Sequence, residues 1–130
     1  MNDTRNKVLI VDDNPDYLRL MEMALEGDYN IVTAPDGTEG MERARKDKPD
    51  LILLDVMMPG VSGLDMLHML LADNETCRIP VIFVTASQFD ESTEMAFKVE
   101  MNVKGFLKKP CAAEALRKEI RNNLPKKAAN

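Results

Sequence analysis

Cysteine, histidine and clustered positive charge are all scarce in this chain of 130 residues, and each scarcity removes a class of function. The two cysteines, Cys77 and Cys111, form no C-x-x-C pair, and the lone histidine, His68, gives them no partner segment, so a zinc site is not expected. Two scattered thiols fit a reducing compartment, and a cytoplasmic location is the expectation. Lys126-Lys127 is a short basic pair in a polar tail, and the net charge is -5, so the domain is not expected to bind nucleic acid. No apolar run approaches the roughly 20 residues that span a bilayer, and Met1 to Lys7 is too polar for a secretory signal, so no membrane contact is expected. Neither a Gly-rich phosphate loop nor G-x-x-x-x-G-K-[ST] follows the first apolar run, which leaves a nucleotide or flavin module without its phosphate cradle.

What the chain does have is a core. Its hydrophobic fraction is 45%, enough for one domain without metal or disulfide staples, and its charged fraction is 30%. A single domain over residues 1–130 is expected, with a core from about 7 to 124 and a polar tail at 125–130. Three short, continuous apolar runs, Val8-Leu9-Ile10-Val11, Leu51-Ile52-Leu53-Leu54 and Val81-Ile82-Phe83-Val84, suit central strands of a parallel sheet covered on both faces. Ile31-Val32-Thr33-Ala34 and Gly105-Phe106-Leu107 read as weaker flanking strands.

Amphipathic stretches lie between them. Asn14-Pro15 is a helix start, Leu18, Met21 and Leu25 mark its inner face, and Gly27 is placed to end it. Asp36 to Lys46 gives a second helix with Met41 and Ala44 inward. Ser62 and Asp65 resemble a capping box, with Asp in place of the usual Glu or Gln, opening a helix that runs to about Leu71. On it, Met66, Met69 and Leu70 fall at packing spacing, and His68 reads as a partly buried helix residue. A weaker helical signal covers Glu91 to Glu100, and Leu116, Ile120 and Leu124 mark a last helix stopped by Pro125. Five strands alternating with five helices imply an α/β, doubly wound parallel sheet, whose ligands bind outside the carboxyl ends of the strands.

The residues at those ends are therefore the candidate site. Asp12 and Asp13 follow the first run, Asp55 the Leu51–Leu54 run, Thr85-Ala86 the Val81–Val84 run, and Lys109-Pro110 the last. Three carboxylates in one cleft repel one another, and a hard divalent cation such as Mg2+ (or Mn2+) relieves this. Asp55, which directly ends the central run, is the best nucleophile. Lys109 supplies a cationic clamp, the Thr85 hydroxyl a donor to a phosphoryl oxygen, and the small Ala86 leaves room for phosphate. Each residue alone has an ordinary structural reading, but four strand ends delivering complementary groups to one edge point to phosphoryl transfer.

Taken together, Val8-Leu9-Ile10-Val11-Asp12-Asp13-Asn14, Asp55-Val56-Met57-Met58-Pro59 with Gly63, Pro80-Val81-Ile82 with Thr85-Ala86, and Phe106-Leu107-Lys108-Lys109-Pro110 resemble the response-regulator receiver domain of two-component signalling, from about Lys7 to Leu124. The resemblance implies a flavodoxin-like sheet of strand order 2-1-3-4-5. It implies Asp55 as phosphoacceptor, Asp13 and Asp55 as direct Mg2+ ligands, Asp12 as an assisting one, and the Met57 backbone carbonyl as a third protein ligand. Lys109, and not Lys108, matches the family lysine, which immediately precedes Pro. Thr85 matches the switch hydroxyl and Phe106 the switch aromatic; their movement would remodel an output face of the fourth helix, fifth strand and fifth helix. Phe106 stands where Tyr is common, so packing alone must bias that switch. Asn102 stands where Gly is frequent, at a position suited to a left-handed backbone. Met57, with Ser87 opposite by sequence offset, is expected to slow self-hydrolysis of the acyl phosphate.

The partners implied are a sensor histidine kinase or phosphotransfer protein upstream and an unidentified downstream protein or fused output domain. A homodimer through the output face is compatible with the resemblance, although the sequence carries no signal for it. The domain would catalyse only its own phosphorylation and dephosphorylation. Three rival readings are weaker. A haloacid-dehalogenase-type phosphatase shares the acid, metal and lysine but usually carries D-x-D after its first strand. A histidine phosphotransfer protein using His68 should be all-helical. A receiver-like docking module would keep the fold without phosphorylation.

Overall fold

The computed structural model describes residues 5–86, 103–109 and 111–124. Five strands, β1 (Lys7–Val11), β2 (Asn30–Ala34), β3 (Leu51–Leu54), β4 (Val81–Thr85) and β5 (Val103–Lys108), alternate with helices α1 (Pro15–Leu25), α2 (Gly37–Asp47), α3 (Gly63–Ala72) and α4 (Ala113–Asn123). Four helices are thus seen among the described residues. The helix expected between Glu91 and Glu100 lies outside them, as do Ser87, Asn102 and Pro110. All strand pairs are parallel, in the order β2-β1-β3-β4-β5.

The strength of each apolar run corresponds to its place in the sheet. All of β3 and β4, and Val8 to Val11 of β1, are buried, because helices cover both faces of the central strands. β2 and β5 sit at the edges and are only partly buried, in agreement with their weaker apolar signal. Alternate side chains feed two cores. One packs Leu9, Ile52, Leu54 and Phe83 with Met66, Leu67 and Leu70; the other packs Val8, Ile10, Leu53 and Val84 with Leu18, Met21, Leu25, Leu116 and Ile120. Leu124 packs partly against the second core, completing the expected four-residue repeat.

Helix starts follow the sequence closely. Asn14 accepts from the Asp16 and Tyr17 amides, Asp36 accepts from the Glu39 amide, and Ser62 and Asp65 form a complete capping box despite the shorter acid. Two helix details differ from the sequence reading. Gly27 follows α1 without a left-handed backbone, since Glu26 closes the helix in right-handed geometry and Gly60 is the only described glycine with positive φ. Met69, expected to pack, is 38% exposed, because only Met66 and Leu70 of that trio face the sheet.

Gly63 is required by contact, not by conformation. A Cβ there would lie 2.2 Å from the Asp55 carbonyl oxygen, so α3 can start against the end of β3 only without a side chain. Gly63→Ala is therefore expected to cost about 1–3 kcal/mol in urea unfolding, as overpacking against backbone does. Gly27 gives the contrast: a Cβ there would meet nothing within 4 Å, and its φ is not positive. Gly27→Ala should be stabilising by about 0.4–1 kcal/mol through the unfolded chain.

Candidate functional site

The backbone ladder continues one step past the strands and fixes the acids. The Asp12 amide donates to Ala34 O (3.2 Å), the Asp55 amide to Val11 O (3.0 Å), and the Lys109 amide to Thr85 O (2.8 Å). Asp12, Asp13 and Asp55 each offer a carboxylate oxygen, all within 4.8 Å of one another. Asp12 and Asp55 are buried, at 2% and 6% exposure, while Asp13 is exposed at the mouth. Asp12 Oδ1 also accepts from the Asn14 amide at 2.9 Å, so this acid shapes the turn into α1 as well as the site.

Lys109 reaches back across the edge. Its ammonium forms an ion pair with Asp12 Oδ2 and lies 3.8 Å from Asp55 Oδ2. Asp55 Oδ1 accepts from the Met57 amide at 3.3 Å, and the Thr85 side chain also hydrogen-bonds this carboxylate. Thr85 is fully buried; Ala86, next along the chain, is exposed. The Met57 side chain stands 59% exposed beside the acceptor position, whereas Met58 is buried. Phe106 is half-buried, 5.9 Å from Phe83 between ring centroids at 51°.

Burial, followed by the Asp12 charge, pushes the Asp55 carboxyl above its ordinary value of 3.8; Lys109, the Met57 amide and Thr85 pull it partly back. The acidic cluster therefore carries more negative charge than its own lysine offsets. Its hard, all-oxygen donor set fits a divalent cation of the Mg2+ type.

The sequence-predicted residues Asp12, Asp13, Asp55, Met57, Thr85, Ala86 and Lys109 are thus brought to one edge, with Phe106 one layer below. Lys108 is exposed and lies in β5. His68, read as partly buried, is exposed on α3. Sequence reasoning missed Tyr17, whose ring centroid is 4.1 Å from the Lys109 ammonium. The available signal was its place in the first turn of a helix that starts just after Asp12-Asp13-Asn14.

The family described as "Response regulator receiver domain" matches residues 8–121. This chain belongs to that family. As a receiver domain it is a signalling module of the two-component type, with a phosphoacceptor role. It is similar to PilH of Pseudomonas aeruginosa, 36% identical over 115 residues that cover 88% of this chain and 93% of PilH. It is also 36% identical over 123 residues to the sensor histidine kinase TmoS of Ectopseudomonas mendocina, covering 95% of this chain but 12% of TmoS. Among solved structures, the chemotaxis protein CheY4 of Vibrio cholerae superposes with a TM-score of 0.85 at 27% identity, covering 93% of this chain and 100% of that one. The same domain therefore occurs at nearly full length in one relative and as a small part of another. Among the described residues no helix is long and apolar enough to cross a membrane.

A pH dependence follows from the raised Asp55 carboxyl. The fold favours its protonated form, so the associated stability is fully present below the unfolded value of 3.8 and is lost as pH rises through the higher folded value. Asp55→Asn should accordingly raise the melting temperature of the metal-free protein near pH 7, by about 3–5 °C for each kcal/mol relieved, and have little effect near pH 3. Circular-dichroism melts across this range check the sign; an Asp55→Asn melt below that of wild type at neutral pH would contradict it.

Proposed function

We propose that this receiver domain takes a phosphoryl group onto Asp55 from a phosphohistidine on a sensor kinase or phosphotransfer protein and couples that event to its β4–β5 edge. The observation that carries this reading is the convergence of Asp12, Asp13, Asp55, Thr85 and Lys109 at one sheet edge, with Asp55 ending the central strand. An Asp55 oxygen attacks phosphorus; the new O–P bond forms as the donor P–N bond breaks, and the donor nitrogen keeps the electron pair and is protonated on departure. Lys109, already 3.8 Å from Asp55 Oδ2, exchanges its Asp12 contact for a phosphoryl oxygen. Thr85 exchanges its hydrogen bond to the carboxylate for one to the phosphoryl group. Asp13 and Asp55, assisted by Asp12 and with the Met57 carbonyl as a further ligand, are the residues that would hold Mg2+ or Mn2+. The ion supplies charge neutralisation of the phosphoryl oxygens.

The upstream partner follows from the shared chemistry of the family. The downstream partner, whether a separate protein or a fused output domain, is read as meeting the face built around β5 and α4. The reading places the protein in the cytoplasm, and a homodimer through that face is compatible with it.

Incubation of the chain with Mg2+ and acetyl phosphate should give a single metal-dependent phosphoryl adduct by intact mass, and Asp55→Asn should give none. A wild-type protein that stays unmodified with both this donor and phosphorylated histidine kinases would instead favour a docking module. Met57, apolar and exposed beside the acceptor, offers no group to orient attacking water. Once formed, the phosphoaspartate should therefore decay more slowly in wild type than in Met57→Asn, followed by loss of the adduct mass after removal of the donor. Faster decay in wild type would refute this role.

A further inference from the structure

We infer that Tyr17 is a positioning residue for Lys109: its ring face holds the ammonium at the mouth of the acidic site and serves as the pivot on which it exchanges the Asp12 carboxylate for a phosphoryl group on Asp55. The inference rests on the reading of Asp55 as phosphoacceptor. The Lys109 ammonium lies 4.1 Å from the Tyr17 ring centroid, paired with Asp12 on another side and 3.8 Å from Asp55 Oδ2. Its side chain is 14% exposed, so water competes little for the charge, and a cation on an aromatic face gains most where it is desolvated.

The ring is placed by the site itself. Asp12 Oδ1 binds the Asn14 amide at 2.9 Å, and Asn14 Oδ1 in turn binds the Asp16 and Tyr17 amides at 3.0 and 3.2 Å. The acid that pairs with Lys109 thus also sets the helix turn that carries the aromatic ring. At the other end, the Lys109 amide is tied to Thr85 O at 2.8 Å. Between these fixed points lies a flexible four-carbon chain whose free rotation would otherwise spread the ammonium over many positions.

A π face is suited to this task because its attraction is not directed at one donor hydrogen. The ammonium can turn from Asp12 toward a phosphoryl group on Asp55 without giving up the ring. Burial, followed by the neighbouring Cys111 and the two carboxylates, pushes the Tyr17 phenol above its ordinary value, so the ring remains neutral throughout. The phenol hydroxyl faces Cys111 and has no part in the pivot.

The test uses the full chain, Mg2+ and acetyl phosphate, with initial rates of adduct formation read by intact mass. Tyr17→Leu should slow the reaction about three- to tenfold, while Tyr17→Phe, which keeps the face, should stay within about twofold of wild type. In a Lys109→Ala background, Tyr17→Leu should have no further effect. Equal rates for wild type and Tyr17→Leu, an equal loss in Tyr17→Phe, or a persistent effect without Lys109 would each overturn the inference. Should Tyr17→Leu not fold, Tyr17→Met repeats the comparison. A second readout needs no phosphorylation: the Lys109 ε-methylene protons should be shifted upfield by the ring current in wild type and Tyr17→Phe, and not in Tyr17→Leu. If wild type accepts no phosphoryl group, the acceptor reading fails on its own and this shift alone decides the contact. Its persistence in Tyr17→Leu refutes the contact.

Discussion

An excess of negative charge held at the carboxyl edge of the sheet is the constraint on which the rest of the structure depends. Asp12 and Asp55 are buried within reach of each other and of Asp13. Burial and mutual repulsion both oppose ionisation of Asp55, and Lys109 offsets only part of this. Such a cluster persists because it is fixed to the sheet backbone: β1 lies between β2 and β3, and its two ladders extend through the Asp12 amide to Ala34 and the Asp55 amide to Val11. The apolar residues behind them supply the free energy to hold the charges in place. The edge thus holds an unbalanced negative charge of the kind a divalent cation relieves. The Asp12–Lys109 pair is better understood as a poised contact than as a stabilising bolt, since a buried ion pair repays its desolvation only in part.

The same constraint explains how much of the molecule could be read from the sequence. A central parallel strand must be apolar on both faces, so Val8–Val11, Leu51–Leu54 and Val81–Val84 announce both their secondary structure and their place in the sheet. Knowing where those runs end gives the site, because parallel strands deliver all their following residues to one edge. Caps are equally legible, because Asn14 and Ser62 act on amides two and three residues away. Contacts set by tertiary distance are not. Nothing in the local sequence says that a Cβ on residue 63 would strike the Asp55 carbonyl, or that Tyr17 covers a lysine more than ninety residues later in the chain. Met69 and His68 illustrate a related limit: helical spacing identifies a face, but how far that face wraps under its neighbour depends on the crossing of α3 over the sheet.

In the proposed mechanism the route from the acidic edge to the rest of the molecule runs through β4 and β5. Phe83 and Thr85 are two residues apart and so point to the same face of β4, and Phe106 lies opposite Phe83 in the parallel register. The Thr85 hydroxyl bonds Asp55 while its body fills a fully buried position, and the Phe106 ring rests against Phe83 one layer away. In the proposed mechanism, drawing Thr85 toward a phosphoryl group changes the volume available beside Phe106. Close-packed interiors respond to such a change by side-chain rearrangement, not by leaving a void. Because Phe106 has no hydroxyl, no hydrogen bond holds its ring in one orientation. Its packing against Phe83 is then what a shift of the buried threonine would act on in the proposed mechanism. The charge imbalance at the edge and the half-buried aromatic at the flank are on this account one device. In the proposed mechanism the first would determine when Thr85 moves, and the second would convert that movement into a change of surface shape.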